Sequence, residues 1–269
     1  MELNFFSTQI ELFLILGVVA GLLSGILGIG GAFVLVPGLI YIFDHYYSFD
    51  PSFSIRLILG TTMTCMIFNA VSSSFYYKKA NLINIEYVKK NVWIIILSTC
   101  IGVFLTQFFS SSVMKMVFAA FCCYSGFNMV LRKKQQSLLK SNKMIVSLFG
   151  ALCGFIGVGG ASLFVSYFNN AEKMEFRESI GTSAAFQVPI AIVRSLSYLV
   201  LGLTTQTQQI DNVIGYIYVP AFLIISITAA IFVKIGVIIS IKIPSAQLKK
   251  IFGIFTILIG LNMAAKVFL

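Results

Sequence analysis

Long apolar runs alternate with short polar loops along this chain, and the runs have the length of bilayer crossings. Uninterrupted stretches cover Leu57 to Tyr77, Val92 to Phe109, Val113 to Leu131, Ile180 to Leu203, Val213 to Ile241 and Leu248 to Leu269. A hydrocarbon core of about 30 Å takes roughly 20 helical residues, so these six predict transmembrane helices. Two further apolar stretches, Leu12 to Phe43 and Met144 to Phe168, are each interrupted by a glycine cluster. At 1.5 Å per residue Leu12 to Leu27 would rise about 24 Å and Ala32 to Phe43 about 18 Å, so neither piece is expected to cross comfortably. Met144 to Ile156 and Ala161 to Phe168 are shorter still. Each cluster is therefore expected to break a re-entrant or short helical pair near the bilayer midplane, where irregular backbone survives only inside protein or against a water-filled cavity.

The two clusters belong to an internal repeat. Gly21-Leu22-Leu23-Ser24-Gly25-Ile26-Leu27-Gly28-Ile29-Gly30-Gly31-Ala32 returns as Gly150-Ala151-Leu152-Cys153-Gly154-Phe155-Ile156-Gly157-Val158-Gly159-Gly160-Ala161, with all five glycines in register. A second pair follows, Arg56 with Gly60-Thr61-Thr62 and Arg177 with Gly181-Thr182-Ser183, and a weaker one near each end places Gly260 and Asn262 where Gly126 and Asn128 stood. The halves meet in the polar linker Arg132 to Lys143, which predicts repeats over residues 1–137 and 138–269.

Charge decides how these halves sit. If each interrupted stretch returns to its starting side, 14 Lys and Arg share one face and Arg56, Lys115 and Lys266 the other; if each crosses once, the division is 10 against 7. The first arrangement obeys the positive-inside rule and puts both termini outside. Each half then crosses an odd number of times, so the copies are inverted relative to one another, an architecture suited to alternating access. The predicted fold is an all-α integral membrane protein of two inverted-topology repeats, each a glycine-broken helical pair followed by three transmembrane helices.

Composition narrows the chemistry. The chain is 58% hydrophobic and 10% charged, beyond what a water-soluble surface accommodates. Its net charge of +10 sits in short loops beside the spans, as a topology signal rather than a nucleic-acid surface. Nothing at the N-terminus reads as a cleaved signal, since Glu2 and Glu11 flank it and no Lys or Arg precedes Arg56. One histidine, His45, and five cysteines in apolar segments leave no evident ligand set, so neither a metal nor another cofactor is expected. No catalytic residues are expected either, although Cys153 beside the second glycine cluster leaves a sulfur-transfer enzyme as an alternative. Expected partners are a small anionic substrate and membrane lipid, and a homodimer is compatible with the sequence.

The anion reading rests on the breaks. Glycine tolerates positive φ and lets a ligand approach the backbone, and a helix starting at Ala32 or Ala161 turns unpaired N–H groups and a positive dipole end toward the break. Gly28, Gly30, Gly31 and Ala32 with Gly157, Gly159, Gly160 and Ala161 are thus candidate substrate contacts; the competing reading is that small residues only permit close helix packing. The following spans add Thr61, Thr62 and Asn69 in one half, and Thr182, Ser183, Gln187 and Arg194 in the other. Their hydroxyls can donate to an oxyanion or back-bond to their own helices. Arg194 lies within about 5 Å of the middle of its span, and all nine carboxylates are in loops or near span ends. An anionic substrate, backbone carbonyls or snorkelling would each answer its charge, whereas Lys234 near a span end is read as snorkelling.

These residues resemble the TauE/SafE family of sulfite exporters and related sulfur-compound permeases. The family's duplicated G-x-x-x-G-x-x-G-x-G-G signature matches Gly21 to Gly31 and Gly150 to Gly160. Its Gly-Thr-Ser element matches Gly181-Thr182-Ser183 and, with Thr for Ser, Gly60-Thr61-Thr62; Ile214 to Ala221 is also family-like. The resemblance runs from Leu12 to Leu269 and implies export or uptake of sulfite, sulfoacetate, thiosulfate or a related sulfur anion across a prokaryotic cytoplasmic membrane. The chain departs at Ala32 and Ala161, where the family often has a third glycine, and at Ser166, which replaces the proline seen at Pro37. Efflux of a monoanion is downhill in an inside-negative cell by about 2.3 kcal/mol per 100 mV, so no coupling ion is required. Ion-coupled uptake, a cation or neutral-solute carrier and an assembly factor for a respiratory complex are the alternatives.

Overall fold

A computed structural model describes residues 2–106 apart from 29 and 48, residues 142–156, 161–205 and 211–268, and isolated positions between 107 and 141. Its helices are α1 (Glu2–Leu27), α2 (Ala32–Tyr46), α3 (Pro51–Lys79), α4 (Ile85–Leu105), α5 (Lys143–Ile156), α6 (Ala161–Asn170), α7 (Phe176–Thr205), α8 (Val219–Lys242) and α9 (Ser245–Phe268). A hairpin of β1 (Val213–Ile214) and β2 (Ile217–Tyr218) precedes α8. The described chain is mostly helical, with five helices long and apolar enough to cross a membrane.

Four of those five coincide with expected spans, in α3, α4, α7 and α8. The fifth, Gln9–Leu27 in α1, corrects the sequence reading of a short first helix. The apolar run begins at Leu12, but the helix continues N-terminally through Glu11, Gln9, Thr8 and Ser7, because backbone hydrogen bonding does not require apolar side chains. Gln9 is buried there and accepts a hydrogen bond from the Tyr47 hydroxyl at 2.8 Å. The span expected from Val213 begins instead at Val219. Gly215 takes a positive φ in the hairpin turn, and Pro220, which has no N–H to give, fits only the first turn of α8. The last expected span lies in α9, and most of Val113 to Leu131 lies outside the described residues.

The helices pair across the two halves of the sequence. α1 lies along α8, α5 along α4, and α3 crosses α7. Glycines set the first two contacts: a Cβ on Gly21 or Gly25 would strike the α8 backbone at Ala229 or Val233, and one on Gly154 would strike Thr99 of α4. Gly102 of α4 meets Ala151 of α5 in the same way. At the central crossing the Thr64 and Ser195 hydroxyls bond at 2.8 Å. Tyr77 closes one end, its hydroxyl 2.8 Å from both Gly25 O and Ser240 Oγ. Large apolar side chains such as Trp93, Leu97, Phe104, Ile227 and Ile231 are exposed on the outer faces of α4 and α8, where lipid replaces a protein neighbour.

Candidate functional site

The first glycine cluster is a left-handed turn. Gly28, Gly30 and Gly31 have φ of 66°, 73° and 82°, a region costly for any residue with a Cβ. Space is closed as well, because a Cβ would meet Ile180 of α7 at Gly28, Met66 of α3 at Gly30, and Ala20 and Asn69 at Gly31. Gly31 caps α2 with no side chain to close the first turn, so the buried start of the helix at Ala32 presents its positive end to this turn. Asn69 Nδ2 donates to Gly30 O at 3.2 Å and holds the loop against α3. Asn69 stands ten residues, about 15 Å, before the Lys79 end of α3, well within the span.

Gly157, Gly159 and Gly160 lie outside the described residues. Their flanks are described: Ala161 is fully buried at the start of α6, and its carbonyl accepts a hydrogen bond from Ser183 Oγ at 3.1 Å. Arg194 is 5% exposed, which rules out snorkelling. Its Nη1 donates to Cys153 O at 2.9 Å and also to Gly154 O, at the end of α5, and its guanidinium carbon lies 6.0 Å from the Tyr198 ring centre. Carbonyl pairing is therefore part of the answer to this charge. Nε remains buried with no partner among the described residues. Ser73 stands to Thr62 as Arg194 stands to Ser183, eleven residues on, and it makes the corresponding bond, Oγ to Ser24 O at 3.4 Å.

The Gly-Thr elements brace loops from the opposite half. Thr61 Oγ1 accepts from Tyr218 N at 2.9 Å, and Thr182 Oγ1 accepts from Asn84 N at 3.0 Å. Tyr218 and Asn84 are the residues that cap α8 and α4. Gly60 and Gly181 let these loops come so close to α3 and α7 that a Cβ would strike Tyr216 O and Leu82 O. Both hydroxyls are thus engaged at the starts of α8 and α4.

What gathers at the first turn is decided by helix faces. On α7, Ile180 touches Gly28 and Ala191 joins a buried cluster with Ala32, Met63 and Met66. Gln187 lies seven residues from the first and four from the second, within about 40° of both at 100° per residue, so it shares the face turned to the first break. On α3, Thr62 and Asn69 flank Met66, which covers Gly30. Thr62 Oγ1, Asn69 Oδ1 and Gln187 Nε2 are all buried without partners among the described residues. Buried polar atoms are normally satisfied, so these three stand out among the side chains of α3 and α7. Arg194 follows Gln187 by seven residues on the same face, its tip turned to α5 and its Nε left over. Met66 lies where helical spacing from Thr62 and Asn69 predicts it, whereas Ala191 and Tyr198 fall outside the predicted set; only the four-residue spacing of Tyr198 from Arg194 hints at that contact. Lys234 is exposed on α8 and takes no part. Among the described residues no group of three His, Cys, Asp or Glu side chains could hold a metal.

Comparison with known proteins points to membrane transporters. A probable membrane transporter protein of Haemophilus influenzae is 30% identical over 96% of this chain and 99% of its own length. Probable membrane transporter proteins of Methanocaldococcus jannaschii and Bacillus subtilis are 24% and 22% identical, over 96% and 93% of this chain and 96% and 95% of their own lengths. No solved structure matches the chain. Residues 13–263 match the family described as sulfite exporter TauE/SafE, and this multi-pass membrane chain belongs to that family.

Proposed function

We propose that this chain transports a small anion, a sulfur oxyanion or organosulfonate such as sulfite or sulfoacetate, by alternating access between two inverted repeats, residues 1–137 and 138–269. The observation that carries the reading is Arg194. It is a guanidinium buried in a span and held by carbonyls, with Nε unpaired among the described residues. Carbonyls satisfy hydrogens but leave the charge in place, and a mobile anion is the partner of opposite sign that such a site accommodates. The positive end of α2, Thr62 and Gln187 add donors on the same side.

Two features support the inverted repeat. The opening helix of each half pairs with the fourth helix of the other, α1 with α8 and α5 with α4. Corresponding bonds also recur, Thr61 to Tyr218 N with Thr182 to Asn84 N, and Ser73 to Ser24 O with Arg194 to Cys153 O. The basic loops face the cytoplasm of a prokaryotic cell and both termini face outward. Efflux driven by the membrane potential needs no coupling ion and no catalytic group.

Flux in proteoliposomes at a set membrane potential tests this, with sulfite, thiosulfate and sulfoacetate compared in wild type and Arg194→Ala. Potential-dependent flux of one of them, reduced by about 100-fold in the variant, is expected, since the removed charge is worth about 2.7 kcal/mol or more to a bound anion. Absence of flux for all three sinks the sulfur-anion assignment.

A further inference from the structure

A site made only of donors would take any anion that fits, but the first break also presents an acceptor. Asn69 is fully buried, and its Nδ2 donates to Gly30 O at 3.2 Å. That bond fixes the amide's orientation, because the flipped form would set Oδ1 against a carbonyl oxygen. Oδ1 is thereby left buried and unpartnered among the described residues, on an amide whose Nδ2 lies beside Gly31 at the start of α2. An acceptor held in this way asks its ligand for a hydrogen.

The charge is also counted. Arg194 is the only charged side chain among the buried residues described. Its counterpart in the first half is Ser73, and Lys234 is exposed. One bound negative charge neutralises the site, whereas a second would stay uncompensated in a low-dielectric span.

Resting on the reading of this site as an anion site, we infer that it takes an anion of single negative charge that itself carries an O–H or N–H. Among the anions proposed above, singly protonated sulfite fits this description, whereas sulfoacetate and thiosulfate, doubly charged and without such a hydrogen, do not; a small sulfonate or carboxylate bearing a hydroxyl group also fits. The anionic oxygens accept from Thr62, Gln187 and the Arg194 side, and the ligand's own hydrogen goes to Asn69 Oδ1. Sites built to pair a ligand's polar hydrogen reject the analogue lacking it, because the protein group is then left unpaired.

The test is calorimetric titration of the purified full-length protein in detergent at pH 7.5 with matched anions. Isethionate against propane-1-sulfonate, and glycolate against propionate, each exchange a hydroxyl for a methyl at constant charge. Methanesulfonate against sulfate changes the charge at similar size. The hydroxylated member of at least one pair is expected to bind about tenfold tighter or more, and sulfate about tenfold weaker than methanesulfonate. In Asn69→Leu the preference for the hydroxyl should shrink to about twofold or less while the methyl analogue binds at least as well as before. Equal binding within both pairs by the wild type overturns the acceptor assignment, as does a preference that survives in Asn69→Leu; sulfate binding tighter than methanesulfonate overturns the single-charge assignment. If Asn69→Leu does not fold, the wild-type pairs decide alone. Failure of all six anions to bind overturns the inference together with the anion reading beneath it, a result distinct from equal binding within the pairs.

Discussion

The end of α1 and the end of α5 are built from one twelve-residue pattern, yet the third helix of each half answers them with different chemistry. On α3 the side chains are Asn69 and Ser73, both neutral, and Ser73 makes a single bond to Ser24 O. On α7 the position matching Ser73 is Arg194, which reaches the matching carbonyl of Cys153 and the next one as well. What the halves share is frame: glycines that let α1 and α5 lie against α8 and α4, and threonines that brace the loops before those helices. What they do not share is charge. A duplication can keep its packing twice over, because packing is demanded at both copies, whereas two buried arginines around one site would repel and double the desolvation penalty. This asymmetry is what the proposed anion site rests on.

Breaking the shared frame should have the largest effect. Gly25→Leu places a side chain against the Val233 carbonyl and the Gly236 backbone, and Gly154→Leu does the same at Thr99. Overpacking of this kind costs roughly 3 kcal/mol or more where only backbone can yield. Both variants should lose the monodisperse peak in detergent gel filtration; either one remaining monodisperse would show that these glycines do not set the helix spacing. Next comes the charge asymmetry. Ser73→Ala removes one weak bond and should leave anion flux within about threefold of wild type, against the roughly 100-fold loss expected at Arg194. Equal losses at the two positions would mean that Arg194 matters only for its bond to the carbonyls.

A smaller effect is expected at the braces. Thr61→Val and Thr182→Val each leave one backbone N–H, of Tyr218 or Asn84, without its acceptor, worth about 1–2 kcal/mol. A lowering of Tm by about 2–6 °C in either variant is expected, with substrate Kd unchanged; a Kd shift of tenfold would bring these hydroxyls into the binding site. Smallest of all is Lys234→Gln. Its side chain is exposed on the outer face of α8, so flux within about twofold of wild type is expected. A tenfold loss there would move the functional cation from α7 to α8.

Much of this was legible along the chain. The membrane class followed from run length and composition, and the glycine pattern located the left-handed turn between α1 and α2; its second copy lies outside the described residues. Local grammar also singled out Arg194, because an arginine in the middle of an apolar span is improbable unless something answers it. The extent of α1 was less legible. Its first turns mix polar residues such as Glu2, Asn4, Ser7 and Thr8 with apolar ones, and hydropathy reports where lipid lies rather than where a helix starts.

Roles were harder to read than places. Gly21 and Gly28 look alike in sequence, but one presses against Ala229 and the other bends left-handed beside Ile180. Thr61 and Thr62 are neighbours, but one braces Tyr218 and the other is buried without a partner among the described residues. The sequence by itself determined that the chain is a multi-pass membrane protein, that its glycine pattern occurs twice, and which side chains were too costly to bury without purpose. Those properties depend on the solvent and on neighbours along the chain. Only the tertiary structure decided that α1 pairs with α8 rather than within its own half, that the α7 face carrying Gln187 with Ile180 and Ala191 meets Gly28 and Ala32, and that Asn69 keeps an acceptor without a partner among the described residues. Each of those depends on contacts between residues far apart in the chain, and no local pattern encodes which distant backbone will arrive.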